Sequence, residues 1–159
     1  MPDFEIKITD NSGEILRQFE RSLQIALEVV GTQAESHAKQ IVSDFVVYGK
    51  VDIPKGYHEK DNSRVADING GTMRNRIAHT VVKHDVYIGT NVPYAVYHEL
   101  GTGIYASQPG GRQTPWRYKG RDGNWYTTRG LYPIHFLKKA ASEHSEEYKS
   151  IIETILKGK

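Results

Sequence analysis

His98 and Glu99 stand side by side in the stretch Gly89-Thr90-Asn91-Val92-Pro93-Tyr94-Ala95-Val96-Tyr97-His98-Glu99-Leu100-Gly101-Thr102-Gly103. A histidine–carboxylate pair can move protons or hold a metal. A zinc-peptidase helix needs a second histidine four residues after the first, so that both imidazoles share one face. Position 102 is threonine, and the pair lacks that partner. The seven histidines (37, 58, 79, 84, 98, 135 and 144) show no ligand spacing beyond His79 and His84. Those two straddle a presumed turn, at an odd offset that does not suit two ligands on one strand face. Nucleophiles fare no better: there is no cysteine and no Gly-x-Ser-x-Gly elbow. Gly101-x-Gly103 lacks a third glycine at 106, which a dinucleotide loop requires. No catalytic, cofactor or metal site is expected.

The basic, aromatic segment 105–132 makes a stronger claim. Tyr105, Trp116, Tyr118, Trp125 and Tyr126 interleave with Arg112, Arg117, Lys119, Arg121 and Arg129. Stacking rings beside cations can hold single-stranded nucleic acid. The same residues dominate protein–protein hot spots, and an aromatic hairpin can also be purely structural. The interface reading ranks first, the structural hairpin second and nucleic acid third. A small nucleic-acid-binding or -processing protein that uses this hairpin with His98 and Glu99 is the rival class.

The elements that must position these residues follow from periodicity. Phe4, Ile6 and Ile8 alternate with Glu5 and Lys7 as a short strand. Asn11 is placed to cap a helix, with Glu14 reaching back to its free amides. From Ile15 to Phe45 one stripe of Leu16, Phe19, Leu23, Leu27, Val30, Ala34, Ala38, Ile41, Val42 and Phe45, with Ala26 alongside, predicts a single helix. At ~1.5 Å per residue it would run about 45 Å, more than a small sheet covers. Part of the stripe is therefore expected to pack on another chain. Gly31 is expected as its weak point.

Residues 48–70 read as a long loop, and 101–115 as another. Ile77–Val82 and Val86–Gly89 form a hairpin around Lys83-His84-Asp85. Asn91 caps a short helix with Pro93 in its first turn, and Gly101 stops it. Asp122-Gly123 between Trp116-Arg117-Tyr118 and Trp125-Tyr126-Thr127 predicts a second hairpin. Phe136, Leu137, Ala140, Ala141, His144, Tyr148, Ile151, Ile152 and Ile155 trace a second long helix ending at Gly158. The order suggests α+β: a small antiparallel sheet packed by a long N-terminal helix and a C-terminal helix, with long loops.

At 159 residues, one domain spanning 1–159 is expected. The absence of cysteine excludes disulfides and thiolate metal sites. The polar N-terminus lacks a secretory apolar run, and no stretch approaches the ~20 apolar residues of a membrane span. A soluble protein made in a cytoplasm is the expectation. The net charge of +2 hides an asymmetry. Residues 1–100 carry 11 Lys/Arg against 14 Asp/Glu, whereas 101–139 carry seven basic groups against Asp122 alone. Such a charge pattern suits head-to-tail contact between copies, or an acidic partner.

Three blocks in order carry a resemblance. They are Gly71-Thr72-Met73-Arg74-Asn75-x-Ile77; Ile88-Gly89-Thr90-Asn91-x-x-Tyr94-Ala95-x-x-His98-Glu99-x-Gly101-Thr102; and Trp116 and Trp125 in a glycine-rich hairpin before Pro133-x-x-Phe136-Leu137-x-x-Ala140. Over about residues 70–141 the chain resembles the tail-completion, head–tail joining (minor tail component) proteins of long-tailed bacteriophages and prophages. His135, directly before Phe136, departs from the family's usual proline–phenylalanine adjacency. The resemblance implies a non-enzymatic virion protein of the neck, made in the bacterial host cytoplasm and forming or completing a ring. Its partners would be copies of itself and connector, tail-terminator or tail-tube proteins, with DNA at most passing through the channel. Tyr94, Glu99, Gly101 and Thr102 would hold the turn that positions the following loop, and Phe136 and Leu137 would dock the last helix. Trp116, Arg117 and Trp125 would belong to the contact surface.

Overall fold

The computed structural model describes residues 10–45, 71–119 and 123–158. The strand expected at Phe4–Ile8, the loop expected at 48–70 and the Arg121-Asp122 tip of the second hairpin lie outside them.

Helix α1 runs Ser12–Asp44, as its apolar stripe predicts. Its first turn differs from the expectation. The Asn11 side chain makes no capping bond; instead the Ser12 N–H donates to Asp10 Oδ1 at 2.9 Å. Glu14 accepts from Gln18 Nε2 rather than reaching back. Burial begins only at Ala26 and then follows Leu27, Val30, Gly31, Ala34, Ala38 and Val42. Several of these are small, which lets neighbouring elements come close to the helix backbone. Gly31 shows why that matters. A Cβ there would run into the His79 imidazole, so the residue read as a weak point is the gap that seats a ring.

A single turn, α2 (Thr72–Asn75), buries Met73 and leads into the first hairpin. Strands β1 (Ile77–Val82) and β2 (Asp85–Thr90) pair antiparallel, from Ile77 opposite Thr90 to Val82 opposite Asp85. Lys83 takes the left-handed backbone (φ 57°) that this tight turn demands. Its carbonyl accepts from Gln24 Nε2 at 2.7 Å, tying the turn to α1.

Helix α3 is shorter than expected, Ala95–Leu100, with Tyr94 at its N-cap in place of Asn91. Val92 is 6% exposed, so the chain dives into the core there and begins to coil only after Pro93. A 3₁₀ turn, Gly103–Tyr105, follows. Strands β3 (Trp116–Lys119) and β4 (Trp125–Thr128) form the second antiparallel hairpin, separate from the first.

The C-terminal helix is two helices, α4 (Phe136–Glu143) and α5 (Ser145–Leu156). The break at His144 has φ −113° and ψ 16°. Ser145-Glu146-Glu147 restarts the helix, with two carboxylates in the first turn where the helix dipole favours them. The Tyr148 hydroxyl reaches back across the break to donate to the Ala140 carbonyl at 2.7 Å.

The fold is therefore α+β: a long N-terminal helix, antiparallel hairpins and C-terminal helices. Its core gathers Ala38, Val42, Met73, Ile77, Val92, Ala95, Ile134, Phe136 and Ala140. Helices α4 and α5 and the first hairpin all lie against α1, while β3 and β4 pack chiefly on each other.

Candidate functional site

Three regions carry the side chains singled out by sequence, and a fourth was not legible there. The first is the joint between α3 and α4. Its central residue is Glu99, whose two carboxylate oxygens accept from the Leu137 N–H at 2.9 Å and the Lys138 N–H at 3.0 Å. Those amides are free donors at the start of α4, and a carboxylate there also meets the positive end of the helix dipole. No local side chain serves as this cap: His135, at the N-cap position, has a left-handed backbone (φ 56°) and makes no capping bond.

Gly101 ends α3 at φ 72°. A Cβ at this position would sit 2.7 Å from the Tyr105 carbonyl oxygen and 2.9 Å from that of Leu131. Thr102 then pairs with Leu131 in both directions. The Thr102 N–H donates to the Leu131 carbonyl at 2.8 Å, and Thr102 Oγ1 accepts from the Leu131 N–H at 2.8 Å. The Ile134 N–H donates to the His98 carbonyl at 2.7 Å, and the Ile104 N–H to the Arg129 carbonyl at 3.0 Å. Residues 98–104 are thereby zipped to 129–138.

Phe136 is fully buried beneath this joint and Leu137 packs at the edge of the core. Tyr94 lies edge-on to His98, ring centroids 6.2 Å apart, and packs against the same core. Its hydroxyl is buried without a partner among the described residues. Burial holds the His98 pKa below the usual imidazole value. Adjacent in sequence, His98 and Glu99 are thus applied to different neighbours.

The second region is the β3–β4 hairpin. Tyr118 stands opposite Tyr126, centroids 5.7 Å apart, and Lys119 opposite Trp125. The Arg117 guanidinium lies 5.4 Å from the centre of the Trp125 ring, and that of Arg112 lies 5.5 Å from the Trp116 ring. Trp125 is 60% exposed, so a large aromatic surface with a cation over it faces outward.

The third region is the start of α1. Ile15, Leu16 and Phe19 are 63%, 61% and 50% exposed, although they continue the stripe that is buried from Ala26 onward.

The fourth region joins α1 to the α4–α5 break. The imidazoles of His37 and His144 stack with centroids 3.5 Å apart and planes 13° from parallel. Glu147 Oε2 lies 3.3 Å from His144 Nδ1 and 3.6 Å from His37 Nε2. The Tyr148 hydroxyl is 2.9 Å from His37 Nδ1. Burial, together with the nearby Glu147 charge, pushes the Tyr148 pKa up to about 12. Sequence spacing misses this cluster because its members come from opposite ends of the chain. Only the His144-x-x-Glu147 half has a local signal, the i, i+3 spacing of one helical face.

A further histidine, His79, is clamped from both sides. Its Nδ1 lies 2.7 Å from Glu35 Oε2 and its Nε2 lies 3.3 Å from Glu28 Oε2. The His79 pKa is raised, chiefly by the bond to Glu35. That of Glu35 is lowered, chiefly by its bond to Lys39.

No family model, curated protein or solved structure matches this chain.

Proposed function

We propose that the chain is a non-enzymatic structural protein of a bacteriophage or prophage neck. In this reading it completes or joins the tail to the head through ring-forming contacts with copies of itself. The observation that carries the reading is the start of α1, where Ile15, Leu16 and Phe19 extend a core-facing stripe into the open. An apolar helical face of this kind is where another subunit packs. The Glu99 geometry supports the same reading, because both carboxylate oxygens are engaged in capping α4.

The heterologous contact that closes a ring needs two different surfaces on each subunit. The α1 stripe is the apolar one. The hairpin of Trp116, Arg117 and Trp125 offers an aromatic–cationic one, and the excess of acidic groups over residues 1–100 supplies opposite charge. Neighbouring connector, tail-terminator or tail-tube proteins are the expected further partners.

The test is deletion of the chain from the genome that encodes it. Tails separated from filled heads, rescued by the wild-type chain supplied in trans, are the expected result. Normal infectious particles without the chain would overturn the reading. The exposed Trp125–Arg117 pair also favours a second reading, single-stranded nucleic-acid binding. A gel shift that is tight and lost in Arg117→Ala would support that alternative.

A further inference from the structure

The fourth region has a geometry that neither the proposed neck role nor the packing of the helices requires. The Tyr148 hydroxyl has a single proton, which it donates to the Ala140 carbonyl at 2.7 Å. The contact of 2.9 Å between that oxygen and His37 Nδ1 is then donated by the imidazole. His37 is thereby fixed with its proton on Nδ1, and its Nε2 lone pair is turned toward Glu147 Oε2. His144 Nδ1 approaches the same carboxylate oxygen. Two imidazole nitrogens therefore converge on one oxygen, from rings stacked face to face. Two imidazole nitrogens and a carboxylate oxygen gathered at one point form the donor set of a metal site.

We propose that His37 Nε2, His144 Nδ1 and the Glu147 carboxylate bind a divalent transition-metal ion of the zinc class, clasping α1 to the α4–α5 break. The three ligand atoms already lie within 4.8 Å of one another. Tetrahedral bonds of ~2.0–2.1 Å hold donors about 3.3 Å apart, so the His144–Glu147 pair is at ligand spacing and the His37 ring must reorient to join it. A metal lies in the plane of each ring it joins, and the two imidazoles must therefore tilt out of their stack on binding.

Two nitrogens and one oxygen suit zinc, cobalt or nickel; magnesium and calcium prefer all-oxygen sites. The side chains of His37, His144 and Glu147 are 21%, 33% and 46% exposed, so the ion has a way in. The Tyr148 hydroxyl is the outer-shell partner that orients His37, a role ligating histidines regularly have filled. The clasp also has a mechanical purpose. Helix α5 has no fully buried residue, yet it lies along α1.

The test uses the full chain, stripped with chelator and titrated with zinc chloride by calorimetry, with thermal melts alongside. One zinc per chain and a raised Tm are expected. Binding should weaken at least about tenfold in His144→Ala and in Glu147→Gln, and about 10–100-fold in Tyr148→Phe. His84→Ala, in the exposed turn between β1 and β2, should bind as the wild type does. Cobalt substitution supplies a second readout: a tetrahedral visible spectrum, and paramagnetic perturbation centred on the His37, His144, Glu147 and Tyr148 resonances. No zinc uptake, or uptake unchanged in His144→Ala and Glu147→Gln, would overturn the site. Uptake is read on the isolated chain, so its failure leaves the neck reading untouched.

Discussion

The α3–α4 joint and the start of α1 make opposite uses of their side chains. In the joint the polar groups of Glu99 and Thr102 are matched to backbone partners within the chain. At the start of α1, large apolar side chains have no neighbour among the described residues that buries them. In the motif that looks most like chemistry, Glu99 caps a helix. The plainest stretch of helix carries exposed apolar side chains. A residue type that can do chemistry is informative only once its hydrogen-bond partners are known.

That contrast can be broken or sharpened by substitution. The largest effect is expected at the joint's packing. Phe136→Ala should destabilise the chain by about 3–5 kcal/mol, measured by urea or thermal unfolding, because Phe136 is fully buried and its removal leaves a cavity. Glu99→Ala should cost about 2 kcal/mol, since two helix-start amides lose a charged acceptor. Glu99→Gln keeps one acceptor oxygen and should recover part of the loss. An unchanged Tm in Glu99→Ala would show that the cap contributes nothing.

A smaller effect is expected from pH at the His79 clamp. The folded His79 pKa lies above the ordinary imidazole value of 6.5, so its contribution is complete below 6.5 and is lost as pH rises through the folded value. The folded Glu35 pKa lies below 4.5, so its contribution is complete above 4.5 and is lost as pH falls through the folded value. The pair therefore stabilises most between 4.5 and 6.5. A Tm–pH profile should show that window, and Glu35→Gln should flatten it.

The smallest effect on stability is expected at the start of α1. Leu16→Glu with Phe19→Glu replaces two exposed side chains and should shift unfolding by no more than about 0.5 kcal/mol per site. A large loss of stability in this pair would mean that the stripe is already covered within the chain.

How much of this could be read from sequence depended on how local the cause was. The stripe of α1, the first hairpin, the stop at Gly101 and the pairing of Trp116-Arg117-Tyr118 with Trp125-Tyr126-Thr127 all follow from neighbours a few residues apart. The start of α3 was misplaced because the burial of Val92, a tertiary event, overrides the N-cap preference of Asn91. The break at His144 was missed although Ser145-Glu146-Glu147 is a helix-start signature, because the apolar period runs through it unbroken. Gly31 looked like a defect until His79 was seen against it. Glu99 was expected, from the resemblance, to hold the turn after α3, but its partners in α4 were not legible. The His37–His144–Glu147 cluster was out of reach, since no spacing rule links a helix near one end of the chain to a helix break near the other.

The central claim is that the open stripe of α1 is a contact made with sister subunits. It is tested most directly by supplying the Leu16→Glu, Phe19→Glu chain to a genome deleted for the protein and quantifying its copies in purified particles by mass spectrometry. The account predicts a chain that folds with the wild-type Tm and is missing from the particles. Wild-type incorporation of the double variant, with full infectivity, would contradict it.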